Sequence, residues 1–541
     1  MVDAYYDGTD ERKDGAGLSR RFAPPAVAAA LCFVYVLTLA PGVTYWDSGE
    51  FLAAMKTLGI PHPPGTPLYI LVGNVWAGIL SPLFGFAYAV NLLSAVTTAV
   101  ACGVFTHLML SWTGDRWASI AGGILAGLMS SVWLNANESE VYAPALLVSS
   151  LLMLVADNAR RTGEGRWIVL LGYLCGLAWS LQLSALVAAP AALVLLLSRR
   201  GAGKKWILDT VPGAIVVSLI GASAVLFMLV RAQHDPGVNQ GNPATWSAFM
   251  DVLTRAQYQP VSMFPRQAPL FIQVGNLFEY ADWQVALNLA PDAPPSWRRT
   301  PITIAYAAFG AIGFIWHRRI DRTSWRAMTV LLIASTLVVI LYLNMKASPS
   351  FGHGFLPPDA KHEARERDYF FALAFVCWGL WAGAGIVRIF SGMKSQSRIA
   401  AAALVIAPLV LNFSAVNRAA RPIATAARDS AMKILATAPL RAVVFAYGDN
   451  DTYPVWYAQY VAGVRTDVTP VTIPLLGAKW YRAELARRHR LLPSDAVAKW
   501  QGAAQAMTAI CASADTLGRP IVAARVRDRP PIPESCTARL R

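Results

Sequence analysis

Carboxylates, one histidine and two arginines stand out in this chain because almost everything around them is apolar. Asp47 and Glu50 lie in Tyr45-Trp46-Asp47-Ser48-Gly49-Glu50. Three residues apart on a helix, both carboxylates face one side. One can serve as a general base and the other can hold it or a substrate; an N-cap with a solvated loop carboxylate is the alternative use of the same pair. Twelve residues on, His62 stands in the Pro-rich run Gly59-Ile60-Pro61-His62-Pro63-Pro64-Gly65-Thr66-Pro67. Proline fixes φ and glycine permits a tight turn, so this loop is rigid and suited to positioning a group. Glu138 and Glu140 form a second acidic pair. Arg365-Glu366-Arg367-Asp368 forms a third cluster, in which arginine suits bidentate contact with a phosphate or pairing with the adjacent carboxylates. Asp449 and Asp451 follow a predicted strand, where ligands often bind at strand C-terminal ends and where turn chemistry also favours Asp.

The elements that must position these groups are membrane helices. The chain has 541 residues, 55% hydrophobic and only 15% charged, with 18 Trp and 21 Phe. That much apolar surface excludes a disordered chain and fits repeated crossing of a bilayer. The 47 Lys+Arg against 32 Asp+Glu give a formal charge of +15. The basic residues sit in short clusters between apolar runs, which reads as cytoplasmic loops and not as a nucleic-acid surface. Apolar runs near 22–40, 87–111, 117–134, 140–157, 207–231, 302–316, 327–344, 369–390 and 398–414 have spanning length. The stretch 167–198 divides into two short helices with a turn near Ser180–Ser184. Residues 66–84 are apolar but crowded with Pro and Gly. Treating them as a short re-entrant or interfacial helix puts Arg20/Arg21, Arg160/Arg161, Arg199/Arg200 with Lys204/Lys205, His317–Arg322 and Arg388/Lys394/Arg398 all on the cytoplasmic side.

The expectation is therefore an α-helical polytopic membrane protein of about eleven spans, in the plasma (inner) membrane, with a cytoplasmic N-terminus. Residues 1–21 form a cytoplasmic tail, 22–416 a transmembrane domain and 417–541 an extracytoplasmic α/β domain. Outer regions are 42–86, 135–140, 232–301 and 345–368. In the tail, 441–447 reads as a strand, Gly448–Asp451 as a turn, Asp451 or Thr452 as the cap of a helix with Pro454 in its first turn, and 467–473 as the next strand. Cys511 and Cys536, the two cysteines of the soluble region, either pair or remain free thiols. No zinc spacing, P-loop, GxGxxG or GxSxG occurs. Ionisable groups are nearly absent from the middle of the spans, which argues against an ion-coupled transporter.

The ordered motifs Asp47-Ser-Gly-Glu50, His62-Pro-Pro-Gly65 with Pro67-Leu-Tyr69, Glu140-Val-Tyr142, Tyr342-Leu-Asn344, Arg365–Phe371 and Gly448-Asp-Asn-Asp-Thr452 with Trp456-Tyr457 resemble a large group of multispanning proteins long labelled as a domain of unknown function. Its eukaryotic relative is the transmembrane O-mannosyltransferase that modifies plexin-type receptor domains. The resemblance implies the C-type glycosyltransferase fold and transfer of a sugar, mannose above others, from a polyprenyl phosphate in the membrane to a Ser/Thr hydroxyl of an extracytoplasmic protein. It implies Asp47 as the catalytic base, with Glu50 beside it. His62, Glu138, Glu140, Tyr142, Gln182, Arg365, Glu366, Arg367, Asp368, Asp449 and Asp451 are the implied donor and acceptor contacts. Where many relatives carry His before a Leu-Ser/Thr-Ala-Leu stretch, this chain has Leu181-Gln182, which leaves phosphate binding to Arg365 and Arg367. No cofactor beyond the lipid-linked donor is implied, and need for a divalent metal is open. Transfer to a lipid or glycan, and flipping or transport of a lipid-linked sugar, are the rival readings.

Overall fold

The computed structural model describes residues 10–199, 205–258, 262–291, 295–391, 395–524, 532–533 and 536. Residues 1–9 of the N-terminal tail, and Arg200, Lys204 and Lys394 of the basic clusters, lie outside the described residues. The chain enters as α1 (Asp10–Thr38), followed by a short α2 (Ser48–Thr57) and then α3 (Pro67–Phe84). Next come α4 (Phe86–Thr113), α5 (Arg116–Leu128), α6 (Ser130–Ala136), α7 (Tyr142–Thr162) and α8 (Gly165–Leu181). A 3-10 helix (Leu183–Ala188) leads to α9 (Ala189–Leu197), then α10 (Lys205–Ala222) and α11 (Leu226–Ala232). The long excursion 233–299 carries α12 (Trp246–Leu253) and α13 (Leu270–Trp283). The helical domain closes with α14 (Thr300–Ile320), α15 (Arg322–Ile333), α16 (Val339–Leu343), α17 (Ala372–Phe390) and α18 (Ser395–Val416).

Among the described residues nine helices are long and apolar enough to cross a bilayer, or ten if α5 and α6 make one bent span. The count differs from eleven at three elements. α8 has only 17 residues and the stretch Leu183–Leu197 only 15, so each rises less than the roughly 30 Å hydrocarbon thickness. They break at Gln182, which is extended, as the Ser and Gln in mid-run suggested. α3 itself passes by length and composition. The α5–α6 bend of 68° arises where Met129 leaves the helical region and the Ser130 N–H bonds Gln284 O at 3.0 Å.

Polar side chains tie the helix ends into two opposite faces. At one face Asn91 donates to Ala40 O (2.8 Å) and Gly42 O (2.9 Å). There Asn137 donates to Val416 O (2.8 Å), and the Arg418 N–H reaches Thr38 O (2.9 Å). At the other face Asp157 pairs with Arg160 and Arg161 at 2.6 Å, Arg388 with Asp115 at 3.6 Å, and Arg199 donates to Arg160 O. The second face thus gathers basic residues, as loop charge predicts. α3 starts beside His62 and ends one residue before α4, whose Asn91 belongs to the first face. Val72, Val75, Ile79 and Leu83 of α3 are exposed.

Helices approach closely where glycine removes side-chain bulk. A Cβ on Gly383 of α17 would lie 2.4 Å from the Ala121 backbone of α5, and one on Gly385 would lie 1.9 Å from Phe309 O of α14. Without water to drive burial, such small-residue seams let dispersion hold the helices together.

After α18 the material changes. α19 (Ile423–Thr437) leads to β1 (Val443–Ala446), α20 (Asp449–Trp456), β2 (Thr469–Thr472), α21 (Lys479–His489), α22 (Ser494–Ala498), α23 (Ala503–Thr516) and β3 (Ile521–Ala523). The sheet is parallel in the order β2-β1-β3, with Phe445, Val443, Val471 and Ile521 in its core. Cys511 and Cys536 are joined, with Cα atoms 5.8 Å apart. The strand, turn, helix, strand order matches expectation. The helix begins earlier than read, at Asp449 after Gly448 at φ +99°, so neither Asp451 nor Thr452 is its cap and Pro454 sits inside it. Gly448 alone supplies the left-handed turn that lets the helix start directly off β1.

The tail packs its α20 on α2. A Cβ on Gly49 would lie 2.4 Å from Tyr453 O, and backbone cannot yield as a side chain can. Gly49→Ala should force α20 off α2 at a cost of about 1–3 kcal/mol. Limited proteolysis at 417–423 should then release the tail several-fold faster than in the unaltered protein; an unchanged rate would show that this contact does not hold the tail.

Candidate functional site

Asp47 occupies the N-cap position of α2, yet its side chain makes no capping bond. The carboxylate is free to face Arg365. Trp46 precedes it in the left-handed region, φ +61°, and its N–H is held by Asn450 Oδ1 at 2.8 Å. That bond fixes the turn before Asp47 from a residue at the start of α20. Glu50, one turn into α2, is fully buried. It accepts from the His62 N–H at 2.7 Å and meets His62 Nδ1 at 2.5 Å. Gln240 donates to it as well. The Pro loop thus places His62 by clasping Glu50 twice. The loop is itself pinned by backbone bonds Ile60 N to Val238 O (2.8 Å) and Gln240 N to Ile60 O (2.9 Å).

Arg365 arrives from the segment before α17. Its Nη2 lies 2.7 Å from Asp47 Oδ2 and its Nη1 3.8 Å from Glu140 Oε1. Its Nε donates to Tyr369 OH at 3.1 Å, and its plane lies over the rings of Trp46 and Tyr369. Arg367 donates to the same hydroxyl at 2.6 Å and pairs with Glu363 at 3.2 Å. Tyr369 thereby holds two guanidiniums side by side, and Tyr142 packs on it at 4.7 Å between ring centroids.

Burial would raise the Asp47 carboxyl, but Arg365, His62 and Arg367 outweigh it and hold it below its ordinary value. Glu140 goes the other way. Burial and the Asp47 charge push it up to about 8 against the pull of Arg365. Asp449 is raised to about 6 by burial and by Asp47 and Glu50. Two neighbouring carboxyls therefore hold their protons differently near neutral pH, the pattern that separates an acid from a base. Burial alone would lower His62, but Glu50 raises it to about 9. Asp47, Glu50 and His62 also offer ligand atoms within 4.8 Å of one another, a spacing that suits a divalent cation. Such an ion would have to displace Arg365 from Asp47 and the proton from His62.

Asp47, Glu50, His62, Glu140, Tyr142, Arg365, Arg367 and Asp449 come together. The others do not join them. Glu138 pairs with Arg418 at 3.6 Å, and Glu366 turns to Ser350 and Tyr280. Asp368 accepts from Ser131 at 2.5 Å, and Asp451 accepts from the Tyr447 N–H. Gln182 bonds the Leu183 N–H and lines a groove of about 110 Å³ with Tyr142, Leu146, Val339, Tyr369 and Phe370. The sequence reading missed Gln240, Asn450, Tyr369 and Glu363. Tyr369 and Glu363 carried a signal, since each stands four residues from its arginine, and Asn450 lies inside the Gly448–Thr452 motif; Gln240 carried none.

Two segments of the chain match family models. Residues 47–205 match the N-terminal domain of protein O-mannosyl-transferase TMEM260, and residues 427–499 match TMEM260-associated domain 2. The first segment contains Asp47, Glu50, His62 and Glu140, and the second contains Asp449; Arg365 lies between them. The protein O-mannosyl-transferase TMEM260 of Mus musculus is 24% identical over 480 residues, 85% of this chain and 64% of that protein. Its namesake in Dictyostelium discoideum is 21% identical over 252 residues, 43% of this chain and 30% of that one. The chain thus spans less than two thirds of the length of these relatives. Among solved structures, ArnT from Cupriavidus metallidurans in the apo state aligns with a TM-score of 0.51 and 13% identity, covering 82% of this chain and 88% of that one. The fold is the C-type glycosyltransferase fold, and the protein is an integral membrane protein.

The His62–Glu50 pair yields a prediction. Its folded-state value lies above the ordinary 6.5, so the stabilisation it gives is complete below pH 6.5 and fades as pH rises through about 9. In metal-free protein, NMR titration of His62 should find the ring charged at neutral pH, and Glu50→Gln should move its midpoint down toward 6.5. A midpoint unmoved by that change would show that Glu50 is not what holds the proton.

Proposed function

We propose that this membrane protein, similar along most of its length to the TMEM260 protein O-mannosyl-transferases, is a glycosyltransferase that moves a sugar, mannose above others, from a polyprenyl phosphate to a Ser/Thr hydroxyl of an extracytoplasmic protein. The observation that carries this is the Asp47–Arg365 pair, a part-buried carboxylate 2.7 Å from a guanidinium of the kind suited to phosphate, at a helix-end face and beside an apolar groove. Gathering of basic residues on the opposite face supports an extracytoplasmic site, and so does the Cys511–Cys536 bond.

In this reading the lipid phosphate takes Arg365 away from Asp47. Arg365 and Arg367, aligned by Tyr369, bind the phosphate, and the groove beside Tyr142 and Gln182 takes the first part of the lipid chain. Asp47 then loses the partner that depresses it and, being buried, becomes the stronger base. It accepts the proton of the acceptor hydroxyl while the oxygen bonds the anomeric carbon. The bond from that carbon to the phosphate oxygen breaks, and polyprenyl phosphate leaves with inversion. The arginines stabilise charge that develops on the leaving oxygen. Protonated Glu140 donates a hydrogen bond to sugar or leaving oxygen, and Glu50 keeps His62 charged beside the acceptor.

Asp47→Asn preserves shape and removes the base, and should lower sugar transfer about 10²–10⁴-fold while polyprenyl-phosphate mannose still binds. Arg365→Lys should instead weaken donor binding, since a point charge cannot replace the fork. Consumption of several lipid-linked sugars by purified protein, followed in both variants, tests the reading. Undiminished transfer by Asp47→Asn would remove Asp47 as base. Movement of labelled lipid across vesicles without any transfer would favour a flippase.

A further inference from the structure

A second cavity, of about 320 Å³, lies between the tail and the segment 237–240, at the lower end of the roughly 300–1,000 Å³ range of small-molecule sites. Two indoles and two phenols, Trp456, Tyr460, Trp480 and Tyr481, line it. Between them stand Asn239, Gln240, Gln459, Thr469, Glu484 and His489. Asn239 and Gln240 are buried, and Asn239 Oδ1 has no partner. Burial and the neighbouring Arg519 and Arg488 depress His489 to about 4, so it is neutral at pH 7. Burial raises Glu484 to about 7. Arg441, Asp467 and Arg519 also line the cavity, but each is engaged: Asp467 accepts from the Arg441 N–H and from Arg465, and Arg519 donates to Arg441 O and Thr469 Oγ1. Beside these charged groups the lining offers amide, hydroxyl and imidazole groups framed by aromatic residues.

The adjacent sheet edge narrows the ligand class. β2 borders the cavity through Thr469 and Pro470. In a parallel pair alternate residues face the neighbouring strand; Thr469 bonds Ala442 O, so residues 470 and 472 face outward. Pro470 has no N–H, and the Thr472 N–H is taken by Tyr481 OH at 2.8 Å. An extended peptide therefore finds no outward-facing N–H on β2 and cannot add a strand here. Recognition falls to side chains. Aromatic faces with amide, imidazole, hydroxyl and carboxyl groups between them match the C–H faces and hydroxyls of a neutral pyranose.

We infer that this cavity is a carbohydrate-binding site, separate from the catalytic cluster and taking one or two neutral hexopyranose units. Its wall is not remote from the chemistry. Gln240, which lines the cavity, also donates to Glu50, and Val238 and Gln240 bond Ile60 two residues before His62. A sugar seated here rests on the strip that pins the Pro loop. The inference does not depend on which lipid-linked donor the transferase uses, or on transfer at all.

The test titrates the purified full chain with methyl α-mannoside, methyl α-glucoside and an α-linked mannobiose, without donor, reading ligand-observed saturation-transfer NMR. At least one saccharide should bind saturably. Trp480→Ala and the near-isosteric Glu484→Gln should each weaken it about tenfold or more, the effect of losing one such contact, with thermal midpoints checked for both. Asp47→Asn should leave it unchanged. Absence of saturable binding by any of the three would overturn the inference. Binding lost in Asp47→Asn but kept in Glu484→Gln would also overturn it, since the sugar then sits at the catalytic centre. Trp480-dependent binding of a Ser/Thr-rich peptide in place of the saccharides would do the same.

Discussion

The Asp47–Arg365 ion pair is the joint on which the rest of the site is built. It links the loop after α1 to the segment before α17, two parts of the chain 318 residues apart. Largely shielded from solvent, each charge depends on the other, since removing one partner leaves an ion with little compensation. The surroundings fit that constraint. Trp46 and Tyr369 cover the guanidinium with ring faces, Glu140 supplies a second carboxyl, and Asn450 fixes the turn that aims Asp47. The same sensitivity makes the pair a natural place for an anionic ligand to act, because only an incoming negative charge can separate it cheaply.

The tail completes this arrangement. α20 brings Asn450 to Trp46 and Asp449 toward the carboxylates, and Gly49 lets the two helices meet. The site is therefore assembled from the membrane domain and the α/β domain together, with the segment 237–240 as a third wall. Matches to family models fall on the membrane domain and the α/β domain, which agrees with both being parts of one working unit.

The sequence made the fold and most of the site legible for reasons that can be named. Charged residues are costly in lipid, so their clustering at span ends survives as a linear signal, and it located Asp47, Glu140 and Arg365; Asp449 was found instead from its place after a strand. The same economy could not say which neighbour points inward. Arg365 faces Asp47 while Glu366 faces Tyr280 and Ser350, and Asp368 turns to Ser131. These residues lie in irregular backbone, where no periodicity assigns a side. Gln240 reaches Glu50 across 190 residues and Asn450 reaches Trp46 across 404; Gln240 sits near no motif, and Asn450 sits in one whose order in the chain does not reveal its distant partner. The bend at Met129 was equally hidden, because it depends on Gln284 claiming a single N–H.

The helix α3, between the Pro loop and α4, carries a row of exposed apolar residues, Val72, Val75, Ile79 and Leu83. In the proposed reading these face lipid, and the Pro loop that bears His62 is tethered directly to that anchored helix. An acceptor hydroxyl would then have to be brought to the loop, which extended segments and loops on long tethers can do and the interior of a compact domain cannot.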